Sequence, residues 1–299
     1  MNNLKSGMEN INPEKGIKVP DLDDNLSSIK EEIQKALKNK KSGEKHGITI
    51  QGTIPVDKAI TSKDIKIKQG KDRVATGIPG LDEIMGGGFE QGSVNIIGGG
   101  PGSGKSIFCM QFLVDGARMF NEKGIYITFE ESSKNLKKHL KEFGWDLEEL
   151  EKQEMITILE YAPDQVNQVL EEGGGIIDSI IERTKAKRIV IDSLTAFTLL
   201  YKDELSKIQA SLKFFKIIQK WDCTALLTAE TDLNADSHKS TIMEFEVDGV
   251  LLLYNTRKDD TRERALEILK LRGIHHSTKI FPIKISDSGI EVFPEEELF

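Results

Sequence analysis

One motif limits what this chain can fold into more than any other stretch. Residues 99–106 read Gly-Gly-Pro-Gly-Ser-Gly-Lys-Ser and match the phosphate-binding pattern G-x-x-x-x-G-K-[ST] at every position. The glycines of this pattern let consecutive backbone N–H groups face phosphate oxygens, the lysine reaches the β- and γ-phosphates, and the final hydroxyl ligates Mg²⁺. The sequence therefore predicts a P-loop that binds ATP and Mg²⁺ through Gly100, Pro101, Gly102, Ser103, Gly104, Lys105, Ser106 and Ile107.

The residues on both sides of the motif supply the strand and the helix that a P-loop requires. Residues 93–97 predict a short buried strand, and residues 106–120 carry apolar side chains at the spacing of a packed helix. The N-terminus of that helix adds a partial positive charge to the anion site. The order of strand, loop and helix therefore favours a nucleotide site over a chance glycine-rich turn.

Apolar strands alternate with amphipathic helices through the rest of the chain. Strands are predicted over 124–129, 188–192, 223–229 and 249–254, and helices over 132–143, 176–184 and 204–221, with a short helix after residue 144. Residues 266–271 and 279–285 predict a terminal antiparallel hairpin, and the stretch leading to Gly175 is polar and interrupted by glycines. This pattern is typical of an α/β fold with a doubly wound, mostly parallel sheet covered by helices on both faces.

Three acidic residues follow predicted strands at the edge where a nucleotide would lie. Glu130 and Glu131 come directly after one strand, and Asp192 ends another. The carboxyl ends of the strands hold the ligand crevice in an open α/β sheet, so Glu130 and Glu131 either face the phosphates or are solvated charges. An apolar strand that ends in aspartate beside a P-loop is the Walker B pattern, which predicts that Asp192 and Ser106 hold the Mg²⁺.

Residues 1–72 differ in composition from the rest of the chain. They are rich in Lys, Asn, Ser and Asp and contain no aromatic residue, so we predict a partly disordered N-terminal extension followed by one domain over residues 73–299. Residues 26–37 carry a narrow apolar stripe that predicts a short amphipathic helix. This helix would either fold back on its own domain or bind a protein partner, and the stripe does not discriminate between the two.

Composition and charge narrow the classes of function. The 299 residues are 38% apolar and 30% charged, as in a globular protein with a full core, and the formal net charge of −8 disfavours nucleic acid as a partner. Cys109 and Cys223 lack the spacing of metal ligands and are predicted to be buried apolar positions. The sequence has no export leader and no apolar run long enough for a bilayer, so we expect a cytoplasmic protein without membrane insertion.

Further motifs occur in a specific order along residues 73–299. They are TGIPGLDEIMGGG, GGPGSGKS, TFEES with GWDL downstream, VIDSLTA, and KLRG followed by His276 and Phe281-Pro282. In this order they resemble the KaiC-like family of RecA-like P-loop ATPases. The resemblance covers a single KaiC-like domain and implies a RecA-like fold, a C-terminal β-hairpin and ATP hydrolysis.

The resemblance also implies an assembly. Members of the family form a ring, usually a homohexamer, in which ATP is held between neighbouring subunits. The residues that would act from one subunit include Lys105 of the P-loop, Asp192, and the pair Glu130 and Glu131, which would polarise the attacking water.

A second set of residues would reach the nucleotide of the adjacent subunit. Lys270, Arg272 and His276 match the family segment that does so, and Arg272 would stabilise phosphoryl charge in trans. Ser286 and Asp287 match positions that contact the base. Without the family resemblance, Lys270 and Arg272 would be interpreted as solvated charges at a strand edge.

Ser240 and Thr241 resemble the adjacent serine and threonine that the clock-type member of the family phosphorylates on itself. The alternative interpretation is structural, because Thr241 and Glu244 also match a capping box at the start of a short helix. The chain differs from the clock-type member in its single domain, its long N-terminal extension and the lysine at position 279 in place of glycine.

Three functions stay open on the sequence alone. The first is a slow ring ATPase that signals to a partner through the nucleotide state of its subunit interfaces. The second is a recombinase-like DNA-binding ATPase related to RadA and Rad55, which share the fold. The third is an assembly module with negligible turnover, in which ATP holds the ring together.

Overall fold

The computed structural model describes residues 72–162, 165, 175–231 and 242–296. Within them, helices cover both faces of one large sheet. The predicted N-terminal extension with its helix over residues 26–37 lies outside the described residues, and so do Ser240 and Thr241.

The strands and helices follow one another along the domain in the alternation that the sequence predicts. The strands are β1 (Arg73–Val74), β2 (Phe89–Glu90), β3 (Val94–Gly99), β4 (Gly124–Thr128), β5 (Ile156–Glu160), β6 (Arg188–Asp192), β7 (Thr224–Glu230), β8 (Gly249–Lys258), β9 (Thr261–Leu271), β10 (Ile280–Ser286) and β11 (Gly289–Val292). The helices are α1 (Leu81–Ile84), α2 (Lys105–Phe120), α3 (Ser133–Leu140), α4 (Leu147–Lys152), α5 (Gly175–Thr184), α6 (Leu194–Thr198), α7 (Glu204–Lys220) and α8 (Ile242–Glu246), with a 3₁₀ turn at Lys141–Phe143.

The main sheet has nine strands in the order β11-β10-β9-β8-β3-β7-β6-β4-β5. The six strands from β8 to β5 in this order run parallel, and β9, β10 and β11 extend the sheet as antiparallel neighbours. Strands β1 and β2 form a separate two-stranded ribbon. The predicted doubly wound, mostly parallel sheet with a terminal β-hairpin is therefore confirmed.

Two apolar layers hold the helices against the sheet, one on each face. In β3, Ile97 packs into the layer that contains α2, whereas Val94 and Ile96 pack into the layer that contains α7. Side chains alternate between the two faces of a strand, so a strand buried on both faces is a continuous apolar run. Cys109 and Cys223 are buried free thiols within these layers, as predicted.

The structure adds two strands to the predicted sheet and shifts two strand boundaries. The polar stretch before Gly175 contains the edge strand β5, whose half-buried residues pair with β4. Strand β8 continues beyond Tyr254, and β9 begins at Thr261 rather than at residue 266, because charged residues on this hairpin alternate on an exposed ladder. The last strand, β11, pairs with β10 and was not predicted.

Arg188, the first residue of β6, is buried with 1% of its surface exposed. Its guanidinium donates hydrogen bonds to the carbonyl oxygens of Phe112 and Ala75, both at 2.8 Å, and forms an ion pair with Glu122 at 2.7 Å. Burial lowers the pKa of Arg188, whereas the Glu122 carboxylate acts in the opposite direction. A buried charge is tolerated only when it is paired and hydrogen-bonded in this way, so Arg188 fixes α2 to the sheet.

Gln111 of α2 attaches the last strand to the same helix. Its amide group donates to the carbonyl oxygen of Ile290 at 3.1 Å and accepts from the backbone N–H of Ile290 at 2.6 Å. The two bonds join residues 179 positions apart in the sequence. A buried amide side chain thus attaches β11 to α2, in addition to the ladder that the strand forms with β10.

The described helices include none that is long and apolar enough to cross a membrane. The cytoplasmic location stays a prediction from the sequence.

We expect Gly116→Ala to destabilise the domain, although alanine is favoured over glycine in a helix interior by about 1 kcal/mol. A Cβ at position 116 would lie 2.4 Å from Nε of Arg188, which cannot move without losing its buried partners. Overpacking of this kind costs about 1–3 kcal/mol of unfolding free energy, measurable by urea denaturation.

The control for this substitution is Gln219→Ala, on the exposed side of α7. We expect it to change the free energy of unfolding by less than about 0.5 kcal/mol. Equal stability of the two variants would contradict the fixed position of the Arg188 guanidinium.

Candidate functional site

The P-loop joins the end of β3 to the start of α2. Gly102 and Gly104 have backbone φ angles of 72° and 104°, a left-handed region that residues with a Cβ rarely adopt. Lys105 bends back over the loop, and its Nζ donates hydrogen bonds to the carbonyl oxygens of Gly99 at 2.9 Å and Gly100 at 3.1 Å. The predicted strand, loop and helix of the phosphate site are therefore present, and the lysine ammonium lies over the loop.

Two polar residues of the β8–β9 hairpin also hold the P-loop. Asn255 Nδ2 donates to the carbonyl oxygen of Pro101 at 3.4 Å, and Arg264 Nε donates to that of Gly102 at 3.3 Å. Asn255 and Arg264 face each other in the strand register. The sequence indicates neither residue, because both lie more than 150 positions away from the loop and belong to no local motif.

Asp192 connects the P-loop helix to two strands of the sheet. Its carboxylate accepts hydrogen bonds from Ser106 Oγ at 2.8 Å, from the Tyr126 hydroxyl at 2.5 Å and from Thr228 Oγ1 at 2.5 Å. Burial and the neighbouring Asp192 charge raise the pKa of Tyr126 well above its ordinary value, so the tyrosine remains a proton donor. Tyr126 and Thr228 were not predicted, because their only signal in the sequence is a hydroxyl inside an otherwise apolar strand.

The oxygen donors of Ser106 and Asp192 suit Mg²⁺. This ion is usually held by one or two protein oxygens together with waters and substrate phosphates. Within the described residues there is no group of three or more His, Cys, Asp or Glu side chains that would form a dedicated metal cage. The pair of a hydroxyl and a carboxylate at 2.8 Å, beside a P-loop, therefore fits a magnesium ion that arrives with a nucleotide.

The acidic pair after β4 lies at the same edge of the sheet as Asp192. Thr128, the last residue of β4, is paired with Asp192 in the strand register. Its hydroxyl accepts backbone N–H bonds from Glu130 at 3.4 Å and Glu131 at 3.1 Å, and donates to the carbonyl oxygen of Glu131 at 2.9 Å. The Glu130 carboxylate accepts a hydrogen bond from the hydroxyl of Ser193, which follows Asp192 directly.

Glu131 has a second, unpredicted neighbour. One of its carboxylate oxygens lies 2.7 Å from Nδ1 of His139, on the last turn of α3. Helix α3 begins directly after the acidic pair, where the Ser132 hydroxyl accepts the backbone N–H of Asn135 at 3.3 Å. The cap therefore fixes the start of the helix that carries His139 back to Glu131.

Lys270 and Arg272 do not lie beside the P-loop of their own chain. Lys270 pairs with Val250 near the start of β8, whereas the P-loop follows the end of β3 at the opposite edge of the sheet. Lys270 Nζ donates to three carbonyl oxygens around the end of α8, with distances of 2.7–3.1 Å. Arg272 donates to the carbonyl oxygen of Phe245 at 2.9 Å and to Asp248 at 3.3 Å.

The remaining predicted residues fall into two groups. His276 lies beyond β9, with Nδ1 2.8 Å from the carbonyl oxygen of Ser277. Ser286 and Asp287 belong to the β10–β11 turn, whose flanking Ile285 and Ile290 approach the position of Gly104. The turn therefore adjoins the P-loop of the same chain.

Comparison with known proteins identifies the family. The family model described as the KaiC ATPase matches residues 74–297. The chain belongs to the KaiC family. The UPF0273 protein of Thermotoga maritima is 34% identical over 237 residues, which cover 75% of this chain and 97% of that protein.

Other relatives agree with this assignment. A KaiC-like protein from the archaeon Pyrococcus horikoshii OT3 has a crystal structure that covers 74% of this chain and 99% of its own, with 34% identity and a TM-score of 0.66. The circadian clock oscillator protein KaiC of Prochlorococcus marinus strain MIT 9313 is 35% identical over 232 residues, or 74% of this chain. The chain spans about half the length of that clock protein, since the match covers 46% of it.

We expect Tyr126→Phe to lower the free energy of unfolding, because it removes one donor from the Asp192 carboxylate. Hydrogen bonds to charged groups contribute about 1.5–3 kcal/mol, and urea denaturation measures the difference. Tyr161→Phe is the matched control, since the described residues offer its half-buried hydroxyl no hydrogen bond. Similar losses in the two variants would contradict this role of the Tyr126 hydroxyl.

Proposed function

We propose that the protein is a ring-forming Mg-ATP hydrolase whose active sites lie between neighbouring subunits, six in a closed ring. The observation that carries the proposal is the separation of two groups of residues. The P-loop, Asp192 and the acidic pair share one edge of the sheet, and Lys270 and Arg272 lie at the other. Head-to-tail contact between subunits would bring the two groups together, as heterologous ring interfaces do.

One subunit would bind the phosphates. The P-loop backbone and Lys105 would hold the β- and γ-phosphates, and Ser106 and Asp192 would hold Mg²⁺, as the 2.8 Å contact between them suggests. When bound, the ion would neutralise charge that develops on the phosphate oxygens. Tyr126 and Thr228 would keep the Asp192 carboxylate in a fixed orientation through their hydrogen bonds.

The acidic pair would activate water. A carboxylate acts as a general base when it lies within hydrogen-bond reach of the attacking water. Glu131 would accept the proton, Glu130 would stay oriented by Ser193, and His139 would position Glu131 through the 2.7 Å contact. Both residues belong to the turn around Thr128, which follows the end of β4.

The neighbouring subunit would complete the site. Arg272 would stabilise charge on the transferred phosphoryl group, and Lys270 and His276 would reach the same nucleotide.

Ser286 and Asp287 would contact the base from the subunit that binds the phosphates, which agrees with their place next to the P-loop of the same chain.

Two finer parts of the proposal concern regulation. The nucleotide state of the interfaces would signal to a protein partner, for which residues 1–72 offer a binding segment. Ser240 and Thr241 would be phosphorylated by the protein itself. Both residues precede α8 in the sequence and lie outside the described residues, so this part of the proposal rests on the family resemblance alone.

We expect Glu131→Gln to retain ATP binding and to lower kcat by about 10²–10⁴, the usual contribution of a general base. Lys105→Ala should lose binding itself. Glu142→Gln, an exposed carboxylate on the neighbouring 3₁₀ turn, is the control and should leave kcat unchanged. If Glu131→Gln turns over ATP as fast as the control, Glu131 is not the general base.

Mass spectrometry of the wild-type protein after incubation with Mg-ATP tests the proposed phosphorylation. We expect phosphate on Ser240 or Thr241.

Mixing two inactive variants tests the shared site. In a ring assembled from equal amounts of Lys105→Ala and Arg272→Ala chains, about a quarter of the interfaces combine an intact lysine with an intact arginine. We expect turnover to recover to about that fraction of wild type, and remixed wild-type rings control for losses on assembly. If mixing restores no turnover while each variant still assembles, Arg272 does not act in trans.

A further inference from the structure

A cleft of about 900 Å³ lies on the outer side of α3, next to the 3₁₀ turn and the start of α4. Its lining includes four lysines, which are Lys134, Lys137, Lys138 and Lys141. The volume falls in the range of ligand-binding clefts. None of these residues belongs to the nucleotide site described above.

Three of the four ammonium groups are available to a ligand. Lys134, Lys138 and Lys141 are exposed, and among the described residues no carboxylate forms an ion pair with them. Lys134 and Lys138 are four residues apart on one face of α3, and Lys141 follows three residues later in the 3₁₀ turn. Lys137 is paired with Glu151 of α4 and closes one side of the cleft.

The stability of α3 accounts for Lys138, which complements the macrodipole in the last turn, but not for Lys134. Lys134 lies in the first turn of the helix, where a cation opposes the macrodipole. Lys134 and Lys138 are also separated by four residues, a spacing at which like charges repel. Helix stability therefore does not explain why three unpaired cations gather around one cleft on a chain with a net charge of −8.

We propose that this lysine cleft binds an acidic segment of a partner protein. Lysine ammonium groups are point charges that suit carboxylates at variable positions. Sites for single-stranded nucleic acid usually add aromatic faces on which bases stack, but Trp145 at the cleft is 5% exposed and stacks on Phe143 at 5.0 Å. The overall negative charge of the chain would also repel a polyanion that continued beyond the cleft.

The shape of the cleft limits where the acidic residues would lie. Asp146 and Glu148 line its α4 end, and Asp146 already caps α4 by accepting the Glu149 N–H at 3.0 Å. The carboxylates of the ligand would therefore contact the α3 end. This proposal concerns binding alone, so it stands or fails independently of ATP hydrolysis.

The test uses the full-length chain and a fluorescein-labelled twelve-residue peptide of alternating Glu and Ser, followed by fluorescence anisotropy. We expect the triple substitution of Lys134, Lys138 and Lys141 to Gln to weaken binding at least about tenfold, equivalent to about 1.4 kcal/mol. Binding of the peptide by the wild type should also weaken as the salt concentration increases from about 50 to about 300 mM, because salt screens the attraction between exposed charges.

The matched control replaces three other lysines by Gln. Lys213, Lys216 and Lys220 are exposed on one face of α7 at similar spacings but line no described cleft. Both triple variants change the net charge equally and keep the lysines of residues 1–72, so we expect the control to bind the peptide within about twofold of wild type.

Three results would overturn the proposal. One is an equal loss of binding in the two triple variants, which would indicate general attraction to positive charge. Another is the absence of any peptide binding by the wild type at 50 mM salt. The third is that a single-stranded oligonucleotide of equal charge binds more tightly than the peptide and that the triple substitution of Lys134, Lys138 and Lys141 abolishes this binding. That result would assign the cleft to nucleic acid instead.

Discussion

The candidate site depends on one carboxylate and the three hydroxyl groups that donate to it. Asp192 accepts hydrogen bonds from Ser106 on α2, Tyr126 on β4 and Thr228 on β7, so a single side chain links the P-loop helix to both neighbours of its own strand. Hydrogen bonds to an ionised acceptor are shorter and stronger than those between neutral groups. The Asp192 carboxylate, which is proposed to bind magnesium, is therefore held in place before a nucleotide or a metal ion binds.

Strand β6, which ends at Asp192, also contacts the P-loop helix α2 at its first residue, Arg188. Arg188 begins β6, contacts the carbonyl oxygen of Phe112 and occupies the space beside Gly116, while Asp192 ends β6 beside Ser106. Strand β6 thus holds α2 at two points, one through a buried cation and one through a carboxylate. A helix held at both ends cannot rotate or slide without breaking one of the two groups, which keeps Lys105 at the end of β3.

The sequence predicted most strands and helices because their signals are local. Continuous apolar runs identified the central strands, and the P-loop pattern identified the ends of β3 and α2. Strand β5 was not predicted, because an edge strand buries only part of its surface and therefore lacks a continuous apolar run. The sequence did not indicate the contacts of Asn255 and Arg264 with the P-loop, or of His139 with Glu131, for a different reason. These contacts depend on the tertiary fold and leave no periodic pattern in the sequence.

The bond between Gln111 and Ile290 bears on how the protein is synthesised. The amide of Gln111 lies in the middle of the P-loop helix and is buried, yet its partner strand emerges from the ribosome 179 residues later. A buried amide without partners is costly, so α2 reaches its final packing only after β11 has been made. A nascent chain that lacks β11 would consequently leave the Gln111 amide of the P-loop helix without its partner.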